Sequence, residues 1–123
     1  VAKYLEQNDK VAYVNYCGLE NDKYHALAEK YLPNGSCGVV SFGVKGGRKA
    51  AEEFMKHLKL GSIETHVADA RTCCLHPASA THRQMNDEEL TACGVYPDLV
   101  RYSCGLEDAE DLIADLEQAF AQI

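Results

Sequence analysis

The stretch Cys37-Gly38-Val39-Val40-Ser41-Phe42-Gly43-Val44-Lys45-Gly46-Gly47 decides how this chain folds. Its first eight residues are rich in β-branched and aromatic side chains and read as a well-buried strand. The Gly46-Gly47 pair then turns the chain into a helix with Ala51, Phe54, Met55 and Leu58 on its inner face. Lys56, His57 and Lys59 sit near the end of that helix, where positive charge suits the helix dipole. A buried strand leading straight into an amphipathic helix calls for a layered α/β domain.

Working outward, the pattern continues on both sides. Val11 to Tyr16 reads as a strand, followed from about Asp22 by a helix with Tyr24, Leu27, Ala28 and Tyr31 on one face, stopped by Pro33-Asn34-Gly35. Beyond the central helix, Ser62 to Val67 alternates, with Ile63, Thr65 and Val67 on one face and Ser62, Glu64 and His66 on the other. Thr72 to Leu75 is a short strand entering an irregular loop from His76 to His82. Asn86 begins a helix as its cap, with Glu89 reaching back and Met85 set to pack on Leu90, and Gly94 ends it. Leu99 to Cys104 is another strand. The last helix carries Ala109, Leu112, Ile113, Leu116, Phe120 and Ile123 on one stripe. The order β-α-β-α-β-β-α-β-α predicts one domain over residues 1–123, α/β in content, with a sheet covered by helices mainly on one side. The opening Val1-Ala2-Lys3-Tyr4-Leu5-Glu6 reads as the tail of a helix already under way, which is the expectation for a piece of a longer protein.

The bulk numbers narrow the function classes. A length of 123 residues, 46% apolar and 25% charged, suits one globular domain with its own core. A net charge of -7 argues against nucleic acid or an anionic membrane as partner, since both need a basic footprint. Much of the acidity lies in Glu107, Asp108, Glu110, Asp111, Asp115 and Glu117, read as one solvated helix face. The six cysteines form no C-x-x-C pair, and the adjacent Cys73 and Cys74 point to opposite faces of a strand. They read as reduced, mostly buried thiols of a cytoplasmic protein. No apolar run approaches membrane-spanning length, and the first residues lack a secretory signal pattern.

Four constellations could carry chemistry. Gly43-Val44-Lys45-Gly46-Gly47-Arg48-Lys49 has the glycines and bases of a phosphate turn, but its spacing is not that of a P-loop, and turn chemistry at a helix start is the better reading. His66, Asp69, His76 and His82 are ligand types for a metal at spacings that match no known site, and His76 before Pro77 reads as a loop fastener. Cys104 with His82 as nucleophile and base has no support from spacing. Arg101 is the sharper candidate. It lies mid-strand on the face of Leu99 and Ser103, where its planar guanidinium can take a substrate carboxylate bidentately. On residues alone, a surface ion pair with one of the many acids is the favoured reading.

Three ordered stretches add a resemblance. Phe42-Gly43-Val44-Lys45-Gly46-Gly47, Asp69 through Cys73-Cys74-Leu75 to His76-Pro77-Ala78-Ser79-Ala80-Thr81-His82, and Pro97 through Arg101-Tyr102-Ser103-Cys104-Gly105-Leu106 to Asp108 together resemble the C-terminal part of the Cys/Met-metabolism family of pyridoxal-phosphate enzymes. The nearest branch is O-acetylhomoserine sulfhydrylase, and the likeness includes Asn15-Tyr16-Cys17-Gly18-Leu19. The resemblance implies the small domain of a fold-type I enzyme, a two-layer unit with a mostly antiparallel sheet that closes the substrate side of a larger, usually tetrameric protein. It implies a reaction of O-acetylhomoserine with sulfide or a thiol to give homocysteine or methionine plus acetate. Cystathionine γ-synthase or a γ-lyase of the same family is the alternative activity, and a free-standing binding module is the alternative from another class.

Carried over residue by residue, Arg101 matches the arginine that binds the substrate α-carboxylate. His66 stands where relatives have Ser or Asn near that carboxylate, and Thr81 lies in the His-Pro-Ala-Ser-x-Thr-His loop beside the same pocket. The family's Schiff-base lysine belongs to a motif of the large domain that this sequence lacks. The chain by itself is therefore expected neither to hold pyridoxal phosphate nor to be active, and no residue is assigned a catalytic, cofactor-binding or metal-binding role.

Overall fold

The central run folds as read. In the computed structural model, which describes all residues from Val1 to Ile123, it forms strand β2 (Val39–Val44) and runs through the Gly46-Gly47 turn into helix α3 (Gly47–His57). Gly46 and Gly47 have φ of 102° and 74°, the left-handed region in which a Cβ is unfavourable. A Cβ on Gly46 would also lie 2.8 Å from that of Ala50, so the turn admits only glycine there.

Five strands make one sheet in the order β1 (Val11–Asn15), β2, β5 (Leu99–Ser103), β4 (Cys73–Leu75), β3 (Ser62–Ile63). All neighbours are antiparallel except the short parallel pair of β3 and β4, in agreement with the mostly antiparallel two-layer architecture implied by the resemblance. Helix α1 (Ala2–Gln7) leads into β1. On one face of the sheet Val40, Phe42, Val44, Val100, Tyr102 and Cys74 are buried beneath α3 and α5 (Ala109–Phe120). The rings of Phe42, Phe54 and Phe120 meet there at centroid distances of 5.8, 6.1 and 4.4 Å, which ties the two helices to the strand.

Local signals set the remaining ends. Asn86 caps α4 (Asp87–Ala92) in a full capping box with Glu89. Gly94, at φ 79°, closes it through bonds from its own amide to Thr91 and from that of Val95 to Leu90, both accepted by carbonyl oxygens. His76 fastens its loop as expected: Nδ1 meets Ser79 Oγ at 2.8 Å and Nε2 donates to the Pro97 carbonyl oxygen at 2.7 Å.

Several readings need correction. The alternation of Ser62 to Val67 produces strand only at Ser62–Ile63, and both Ile63 and Val67 are exposed. The Glu64 amide still donates to the Cys74 carbonyl oxygen at 3.1 Å, and past it the segment has no ladder partner, its Thr65 and His66 carbonyls turning to Arg101. Helix α2 (His25–Tyr31) buries Ala28 alone, while Tyr24, Leu27 and Tyr31 of its apolar stripe face solvent. Ala109, placed on the inner stripe of α5, is exposed as well.

The acidic stretch is not one solvated face. Asp115 is buried, and its carboxylate accepts the backbone amides of Lys59, Leu60 and Gly61 at 2.8, 2.9 and 2.9 Å, capping the turn after α3. All six cysteines are free, but only Cys73 and Cys74 are buried; Cys17 and Cys104 are half-buried, and Cys37 and Cys93 are exposed. No helix is long and apolar enough to cross a membrane.

Candidate functional site

The face of the sheet opposite α3 and α5 carries the site. Because side chains alternate along a strand, Arg101 points away from its buried neighbours Val100 and Tyr102. The register sets Arg101 between Ser41 on β2 and Leu75 on β4. These residues, with Val39 and Leu99, floor a cleft of about 500 Å³ whose walls include Thr65, Pro77, Thr81 and His82.

Arg101 is half-buried, and of its nitrogens only Nη2 makes hydrogen bonds within the protein. Nη2 donates to the carbonyl oxygens of Thr65 at 2.8 Å and His66 at 3.1 Å. Nε is buried with no acceptor. None of the chain's six ion pairs includes Arg101, although the sequence holds 19 acidic residues. The competing surface-ion-pair reading is thereby removed. An arginine held by backbone carbonyls, short of acceptors and free of a carboxylate, is arranged to receive an anion.

Of the other two residues proposed from sequence, Thr81 lines the same cleft, its hydroxyl 2.9 Å from His82 Nδ1. His66 does not present its ring. The imidazole is exposed and pairs with Glu64 at 2.9 Å, and only the backbone carbonyl of His66 reaches Arg101. The polar strand face on which it was placed does not exist at residue 66, since β3 ends at Ile63.

Thr65 and His82 were not singled out as cleft residues. Thr65 acts through its carbonyl oxygen, which any residue possesses, so no side-chain signal could mark it. His82 stands directly after Thr81 in the loop already noted, and that adjacency was the available signal.

The remaining constellations come apart in space. His66, Asp69, His76 and His82 form no group arranged to hold a metal ion. Cys104 packs against the helix-covered core, while His82 lines the opposite face, and burial pushes the Cys104 thiol up. The Gly43 to Lys49 segment is turn chemistry: Arg48 pairs with Asp87 and donates from Nη1 to the Ala78 carbonyl oxygen at 2.8 Å, tying α3 to the loop before α4.

This arrangement can be set beside known proteins. The family model described as Cys/Met metabolism PLP-dependent enzyme matches residues 1–121. The chain belongs to that family. A homocysteine synthase of Schizosaccharomyces pombe is 47% identical over 97% of the chain, and O-acetyl-L-homoserine sulfhydrylase 1 of Thermus thermophilus is 46% identical over 98%. A Campylobacter jejuni crystal structure assigned as an O-acetylhomoserine (thiol)-lyase, with a pyridoxyl-lysine phosphate, superposes with a TM-score of 0.88 at 36% identity, over 98% of the chain. The chain spans only 28%, 29% and 28% of the lengths of these three relatives. Within the Cys/Met-metabolism family, then, this unit is compared with less than a third of each whole enzyme.

The cleft itself contains no lysine, and its one ring is the His82 imidazole. It offers pyridoxal phosphate no amine to condense with, so the residues present do not supply the Schiff base that group needs. The one permanent cation in the lining is the Arg101 guanidinium, a group of the type that pairs with carboxylates.

Proposed function

We propose that the chain is the C-terminal, substrate-side domain of an O-acetylhomoserine sulfhydrylase-type enzyme, a cytoplasmic homotetramer when complete. The reaction replaces the acetoxy group at the γ-carbon of O-acetylhomoserine by sulfide or a thiol, yielding homocysteine or methionine and releasing acetate. Pyridoxal phosphate, held by the large domain, supplies the electron sink for this chemistry. This chain supplies recognition: Arg101 takes the α-carboxylate of the amino-acid substrate, and Thr81 lines the same pocket. One observation carries the reading, namely that Arg101 lies on the cleft floor with a buried, unsatisfied Nε and no acidic partner. The similarity to homocysteine synthases and sulfhydrylases at 46–47% identity favours that branch over the γ-lyases.

The test is steady-state kinetics of the full-length enzyme. Arg101→Ala is expected to lower kcat/KM for O-acetylhomoserine by a factor corresponding to about 2–4 kcal/mol, the loss of a charge-assisted bidentate contact, mainly through KM. Arg101→Lys should restore only part of this, because an ammonium cannot reproduce the planar fork. Unchanged KM and kcat/KM in Arg101→Ala would remove the residue from the site.

A further inference from the structure

Four alternating positions of one short stretch, Arg101, Ser103, Gly105 and Glu107, all engage the same loop, residues 65–72. Arg101 Nη2 donates to the carbonyl oxygens of Thr65 and His66. Ser103 Oγ accepts the amide of Ala68 at 2.9 Å. Ala68 is the one non-glycine residue with positive φ, 57°, a conformation that needs an external hold. The Gly105 amide donates to Thr72 Oγ1 at 2.9 Å, and a Cβ at Gly105 would stand 2.5 Å from the Ala70 carbonyl oxygen, so the loop lies directly against the strand's extension. Glu107 accepts from both the amide and the hydroxyl of Thr72, at 2.9 and 2.8 Å. These two bonds hold its carboxyl below the usual carboxylate range.

The loop thus does two things at once. Its middle is held by Ser103 and its far end by the Thr72–Glu107 pair, none of which lines the cleft, while its near end presents the two carbonyls that meet Arg101. Between Thr65 and Ala68 the loop forms no strand and Val67 is exposed, and further on it is also tied by the Leu106 amide to the Ala70 carbonyl oxygen and by the Ser62 amide to that of Thr72, both at 2.9 Å. We infer that Ser103, Thr72 and Glu107 are positioning residues for Arg101, acting through the 65–72 loop to set the guanidinium for a carboxylate. This rests on the reading of Arg101 given under Proposed function.

The experiment compares Arg101→Ala, Ser103→Ala, Thr72→Val and Thr72→Ser in the full-length enzyme. Two readouts are taken, KM and kcat for the amino-acid substrate, and backbone amide exchange across 65–72. Ser103→Ala and Thr72→Val are expected to raise KM about tenfold with kcat little changed, as a slightly misplaced binding group does. The amides of Ala68 and Thr72 should exchange faster in the same variants. Thr72→Ser keeps the hydroxyl and should behave as the wild type.

If Arg101→Ala raises KM while Ser103→Ala and Thr72→Val leave it within twofold, the positioning role is overturned and the reading of Arg101 stands. Should Arg101→Ala itself leave KM unchanged, both fall. Loss of kcat alongside KM, or a Thr72→Ser enzyme as impaired as Thr72→Val, marks a merely structural clamp and also overturns the inference. Ser103 and Thr72 lie on different bonds of the clamp, so if one variant fails to fold the other decides.

Discussion

The two faces of the sheet are built from the same strands to opposite ends. On the covered face Val40, Phe42, Val100 and Tyr102 are sealed under two helices, and the residues one step away, Ser41, Leu99 and Arg101, floor an open cleft. Arg101 and Tyr102 are sequence neighbours, and each leaves a buried polar atom without a partner, Nε in one and the hydroxyl in the other. Their surroundings give these orphans different meanings. Arg101 as a residue lines the open cleft, whereas Tyr102 is fully buried beneath the helices.

That contrast can be broken at three points on the covered side. Phe54→Ala removes the ring at the centre of the aromatic cluster, and unfolding in urea should show a loss of about 3–5 kcal/mol. A loss below that of an ordinary surface substitution would mean the covered face is not the core. Asp115→Ala leaves the amides of Lys59, Leu60 and Gly61 without their shared acceptor. Its expected cost is about 2 kcal/mol in the same denaturation experiment. An unaffected midpoint would show that water replaces the carboxylate without loss.

Tyr102→Phe sharpens the comparison with the smallest effect. Removing an unpaired buried hydroxyl should leave stability unchanged or raise it by up to about 1 kcal/mol. Clear destabilisation would show that the hydroxyl has a partner, and the two neighbours would no longer be a contrasting pair.

How far the site was legible depended on distance along the chain. Arg101 could be picked out because a charged residue in the middle of an apolar strand conflicts with its local pattern, and such conflicts mark function. The box around Asn86, the Gly46-Gly47 turn and the fastening by His76 were equally readable, since each involves groups a few residues apart or a strong backbone preference. His66 misled because an alternating pattern specifies a strand only where a neighbour supplies the hydrogen bonds. Asp115 misled because a carboxylate in an acidic run reads as solvated, and the amides that capture it lie 54 to 56 residues away.

By itself the sequence determined the family, the order of elements, the single large core and the identity of Arg101 as the residue to watch. Those follow from local periodicity, turn chemistry and ordered motifs. Only the tertiary structure decided that Arg101 has no acidic partner, that its guanidinium meets the carbonyls of Thr65 and His66 while the His66 ring turns to Glu64, and that Ser103 and Glu107 bond the loop supplying those carbonyls. Backbone carbonyls carry no side-chain signature, and which of them meets an arginine is settled by how distant segments pack.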